Sequence, residues 1–113
     1  MNCRIVNLED GMPTVEMARI RLNNALQAAR MQGDKAVKII HGYGSSGKGG
    51  AIKADVQKIL AEKQRIGAIK GYVKGEDFSP FSAASRQLTA RCPGLTKDRD
   101  YSRGNDGITI VLL

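Results

Sequence analysis

A chain of 113 residues with 42% hydrophobic and 26% charged residues has the make-up of one globular domain built on a single modest core. No apolar run reaches bilayer-spanning length and no apolar segment follows a basic start, so neither a membrane helix nor a secretory leader is expected, and a reducing cytoplasm is the expected location. The net charge of +7 and pI of 9.7 favour polyanionic partners, whereas two cysteines (Cys3, Cys92) and one histidine (His41) are too few for a structural metal or a disulfide framework.

The run from Cys3 to Leu8 reads as a first strand, stopped by Glu9-Asp10-Gly11. Pro13 and Thr14 then open a helix, with Thr14 as N-cap and Glu16 complementing the helix dipole in the first turn. Val15, Ala18, Leu22, Ala25, Leu26 and Ala29 recur at helical spacing and mark its buried stripe, and Gly33-Asp34 ends it. A second strand follows over Ala36 to His41. After a glycine-rich loop, Ile52, Val56, Ile59 and Leu60 form the inner stripe of a second helix starting at Ala51, with Lys53, Lys58 and Lys63 on its outer side. Ala68 to Lys74 alternates as a third strand, with Ile69 and Val73 on one face and Tyr72 on the other. Asn105-Asp106-Gly107 is a turn before a final strand over Ile108 to Leu113. Two strand-helix-strand units in series require a right-handed parallel arrangement.

Residues 75–104 are too long for a plain loop between two strands. Phe78, Phe81, Leu88 and Leu95 predict that this insertion is ordered, and Ser82 to Arg91 suits a short helix ended by Pro93-Gly94. The insertion is expected to cover the open face of the sheet in preference to extending a binding surface.

The densest chemistry lies between the second strand and the second helix. Gly42, Gly44, Gly47, Gly49 and Gly50 fall within nine residues, interleaved with Tyr43, Ser45, Ser46 and Lys48. A strand entering a helix N-terminus through glycines presents unpartnered backbone N–H groups and the positive end of the helix dipole, which suits phosphate. The letters also spell G-x-G-x-x-G and the start of a P-loop. Gly49 stands where a P-loop needs Ser or Thr for magnesium, and the chain is too short for a dinucleotide-binding sheet, so neither motif is adopted.

The run IIHGYGSSGKGGAIKADV resembles the second signature of the small MutS-related (Smr) domain family, HGxG followed by a small-residue turn and a helix. GMPTVEMARIRLNNAL resembles the turn and helix after that family's first signature, and ITIVLL its last strand. The resemblance implies an α/β two-layer sandwich of βαβαββ order, a mixed four-stranded sheet whose last strand is antiparallel, as one domain over 1–113 with an insertion at 75–104. It also implies nucleic acid, DNA or RNA, as partner, without a membrane.

Under that resemblance Gly42 to Gly50, with Tyr43 as the best stacking ring, would grip backbone phosphate, assisted by Lys48, Lys53 and Arg19. The family's LDxHG signature reads Asn7-Leu8-Glu9-Asp10-Gly11 here, so Asp10 replaces the family histidine and Leu8 its aspartate. Cleavage would then rest on His41, an imidazole suited to proton transfer, and on Asp10 as base or metal holder. The alternatives are that His41 only fixes the loop by hydrogen bonds and that Glu9-Asp10 only forms a turn. Binding is expected ahead of endonuclease activity, with a small phosphorylated ligand or a protein-interaction role third. No cofactor and no metal-ligand set is expected, and the need for a divalent metal is left open.

Overall fold

The computed structural model describes residues 3–42 and 48–113, with 48 and 49 described by their backbone only. Its strands are β1 (Cys3–Asn7), β2 (Ala36–Ile40), β3 (Gly71–Lys74) and β4 (Ile108–Leu112), and its helices α1 (Val15–Gln32), α2 (Lys48–Arg65) and α3 (Ala83–Arg91). Short 3-10 turns at Gly75–Asp77 and Pro93–Lys97 flank α3. The sheet runs β1-β2-β4-β3; β1 pairs parallel with β2, and β4 lies antiparallel to both β2 and β3. This is the mixed sheet expected, with the last strand inserted centrally.

Local chemistry sets the ends of α1. The Thr14 side chain accepts from Met17 N, and Gly33 closes the helix at φ 76°, a left-handed conformation that costs glycine nothing. The stripe then buries Ala18, Leu22, Leu26 and Ala29 against Val37, Ile39 and Val111 of the sheet and Ile52, Val56 and Leu60 of α2. Each such leucine contributes about 1.5–3 kcal/mol by leaving water. Arg19 and Asp55 join the two helices on their outer side through paired contacts of 3.1 and 2.8 Å.

Strand alternation sends the other half of the sheet to the opposite face. There Ala36, Val73, Ile108, Ile110 and Leu112 pack against Phe78, Leu88, Cys92 and Leu95 of the 75–104 segment. The insertion therefore covers the face that α1 and α2 leave open, as expected. Phe78 and Tyr101 meet edge to face at 5.0 Å within it. Phe81 departs from expectation, since it stands 92% exposed beside the N-cap Ser82.

The boundaries shift in three places. α2 begins at Lys48, not Ala51, so Lys48, Gly49 and Gly50 form its first turn. β2 ends at Ile40, leaving His41 just past the strand. The expected alternation through Ala68–Lys74 fails at its start: Ile69 and Tyr72 both belong to the helix-side core while Val73 faces the insertion. Ala68 N and Ile69 N both donate to Lys63 O, so 68 and 69 still belong to the exit of α2; Lys70 N donates to Leu112 O of β4, and the strand proper begins at Gly71.

Lys38 points to the insertion side and is 4% exposed. Its Nζ lies 2.8 Å from Asp98 Oδ1 and 2.6 Å from Asp100 Oδ2, and Asn105 Nδ2 donates to the other Asp100 oxygen at 2.9 Å. Burial opposes the charge on Lys38, but the two carboxylates outweigh it and hold its pKa above the ordinary value. This buried ion cluster fastens the central strand to the segment that covers it.

Candidate functional site

The site lies where β1 and β2 end side by side. Leu8 N donates to Ile40 O at 2.8 Å, which brings the β1–α1 turn against the start of the glycine-rich loop. The N–H groups of His41 and Gly42 both donate to Gly107 O at 3.0 Å, tying the exit of β2 to the turn before β4. That turn is set by Asn105, whose Oδ1 accepts from Gly107 N at 3.0 Å.

Gly42 adopts φ 82° and turns the chain out of the sheet. The Glu9 carboxylate lies directly over it: a Cβ at position 42 would come within 2.5 Å of the carboxyl carbon. Asp10 is exposed, and its backbone carbonyl accepts from Arg21 Nη1 of α1 at 2.5 Å.

His41 is fully buried. Its Nδ1 faces Gly42 O at 3.0 Å, an atom that only accepts, so Nδ1 carries the proton. Nε2 then accepts from Thr109 Oγ1 at 2.8 Å. Burial is the main cause that lowers its pKa below 6.5 and the Lys53 charge adds to it, against the Gly42 carbonyl, Glu76 and Glu9. The ring is therefore a neutral strut between β2, the loop and β4, with both nitrogens engaged. Because the folded-state value is depressed, this neutral strut contributes its full stability above about pH 6.5 and loses it as pH falls from there through the folded value. Thermal melts of the wild type are expected to drop between pH 7 and 5 by about 1.4 kcal/mol per unit of depression. The same series on His41→Gln is expected to be flat; an equal slope in both would refute this account.

The remaining sequence-predicted residues divide three ways. Tyr43, Gly44, Ser45, Ser46 and Gly47 lie outside the described residues, and Lys48 and Gly49 are described by their backbone alone. Gly50 is half-buried in the first turn of α2, and Lys53, one turn on, reaches Glu76 at 3.8 Å beside His41. Arg19 lies with Asp55 across α1 and α2, its side chain 50% exposed, and is not drawn into the β1–β2 corner. Sequence reasoning passed over Gly107, Thr109 and Arg21, which are tied to this corner by contacts to residues 41, 42 and 10; no spacing in the chain links positions so far apart. Among the described residues no group of three or more His, Cys, Asp or Glu is placed to hold a metal, and no helix is long and apolar enough to cross a membrane.

The family model of the Smr domain matches residues 10–77, more than half of the chain. The chain belongs to the Smr domain family. The family is one of nucleic-acid-binding and endonuclease-like domains. The solved Smr domain of Thermus thermophilus MutS2 is similar in fold, with a TM-score of 0.60 and 21% identity, covering 97% of this chain and 96% of that one. No curated protein sequence matches. In this Smr domain the matched span runs from the β1–α1 turn to the 3-10 turn after β3. Gly107 and Thr109, which close the site around His41, lie beyond it.

Proposed function

We propose that this Smr domain binds nucleic acid by its backbone, receiving phosphate on the loop of residues 42–50 at the N-terminus of α2. The observation that carries the reading is the junction itself. Gly42 turns out of β2 at positive φ, and the 18-residue α2 starts with Lys48-Gly49-Gly50 and no acidic residue in its first turn. A helix dipole end with no acidic residue in its first turn, following the C-terminal edge of a parallel strand pair, supports this reading, because α/β folds receive anions there. The +7 charge supplies attraction that is independent of sequence.

Lys48 and Lys53 would meet phosphate, whereas Arg19 is occupied by Asp55 and contributes little. Glu9, lying over Gly42, opposes the approach of a polyanion. Cleavage has weaker support than binding, because both His41 nitrogens are engaged and its ring has no surface to offer a substrate. In this reading His41 holds the loop and Asp10 belongs to the turn.

Fluorescence anisotropy with labelled duplex DNA and stem-loop RNA tests the proposal. Affinity is expected to fall steeply between about 50 and 200 mM salt, with a log-log slope near 0.9 for each duplex phosphate neutralised. Lys48→Ala and Lys53→Ala should each flatten the slope by about one such step, Arg19→Ala should leave it unchanged, and Glu9→Gln should tighten binding. An affinity indifferent to salt would end the proposal. Supercoiled plasmid and structured RNA, incubated with wild type and His41→Ala, separate binding from nicking.

A further inference from the structure

At the opposite end of the strands from the glycine-rich loop, the face of β1 turned toward α3 borders a groove of about 640 Å³. Its walls are apolar: Cys3 and Ile5 on the strand side, Cys92, Pro93 and Leu95 on the insertion side. Ile5 is 60% exposed there. The Cys3 thiol is pushed up to about 11, chiefly by burial, and burial also raises Cys92, so both stay protonated and serve as lining rather than as nucleophiles.

The rim has one sign of charge. Lys35, Arg91 and Lys97 surround the groove, and among the described residues none of them makes an ion pair. Asp98, the one acidic residue on the wall, is committed to Lys38 at 2.8 Å. Arg30 and Lys70 continue the cationic side through a neighbouring hollow that shares Lys35 and Arg91, and the acid in that hollow, Asp34, is paired with Arg4 at 3.0 Å. The volume is that of a small-molecule site, and no aromatic ring lines it to stack a base.

We infer that this groove binds a small amphiphilic anion, its apolar body on Cys3, Ile5, Cys92 and Leu95 and its carboxylate or phosphate on Lys35, Arg91 and Lys97. The apolar walls remove the body from water, and the unpaired cations supply the charge-assisted bonds that orient the head. The inference does not depend on the glycine-rich loop, which lies at the other end of the sheet.

Titration of the full chain with 1-anilinonaphthalene-8-sulfonate, an aryl anion, tests it, with N-phenyl-1-naphthylamine as the uncharged counterpart. Saturable binding of the anion is expected, with amide shifts in 1H–15N spectra confined to residues 3–5, 35 and 91–98. Arg91→Glu, on an exposed side chain, should weaken the anion about tenfold and the neutral probe less than about twofold. Ile5→Glu, also on the surface, should weaken both, and circular dichroism confirms that each variant is folded. Absence of saturable binding, equal affinity in both variants and wild type, or shifts centred on residues 42–50 would overturn the inference.

Discussion

Lys38→Ala is expected to cost about 3–5 kcal/mol, because it leaves the buried Asp100 and the half-buried Asp98 carboxylates without their cation and empties a packed position in β2. Against a typical domain stability of about 5–15 kcal/mol that is a third or more. Asp98 and Asp100 would face one another with only the Asn105 amide left to satisfy Asp100. The pH dependence distinguishes this from simple loss of packing. In the wild type, burial works to raise the Asp100 pKa, but the Lys38 and Asn105 bonds and the Lys38 charge outweigh it and hold it below 3.8. That contribution is complete above about pH 3.8 and is lost as pH falls through the depressed value. The raised pKa of Lys38 contributes stability complete below 10.5 and lost as pH rises through its folded value. In the variant the two carboxylates repel, so protonating one relieves strain. Urea midpoints should therefore show the deficit narrowing as pH falls toward 4. A deficit constant with pH would mean that the charges are not what holds the insertion down.

Gly75→Ala is expected to be comparably damaging, by about 3 kcal/mol or more. A Cβ there would sit 1.8 Å from Asn105 O and 2.9 Å from Ile108 O. Both obstacles are backbone, so relief requires moving the turn that aims Gly107 O at His41 and Gly42. Gly71→Ala, at the start of β3, is the control, since its Cβ would meet nothing within 4 Å and its φ is not positive. That substitution should be neutral or stabilising by about 0.4–1 kcal/mol. Equal losses in both would show that glycine matters here for backbone flexibility and not for close approach.

The parts legible in the chain were those written in local pattern. Thr14 and Gly33 bracket α1 because capping is decided within four residues, and the stripes of both helices follow from a 3.6-residue period. Strand polarity followed from the two connecting helices and the family resemblance. The parts that stayed hidden are pairings at long range. Lys38 reads as an ordinary charge in a strand until Asp98 and Asp100, sixty residues later, are folded over it. His41 reads as a proton carrier because sequence shows its ring and not the Thr109 hydroxyl 68 residues away. Arg19 reads as a free cation because Asp55 lies on another helix. Ile69 was assigned to the wrong face because the tail of α2 delays the pleat by three residues, which no alternation count detects.

The position of β4 also bears on how the molecule is made. A chain leaving the ribosome exposes β2 and β3 before the strand that lies between them exists, and each then shows a row of unsatisfied amides and carbonyls. Val111 finishes one core while Ile108, Ile110 and Leu112 finish the other, so neither can close early. Cooperative folding must wait for residues 108–112, and a nascent or truncated chain lacking them would be the species most prone to aggregate.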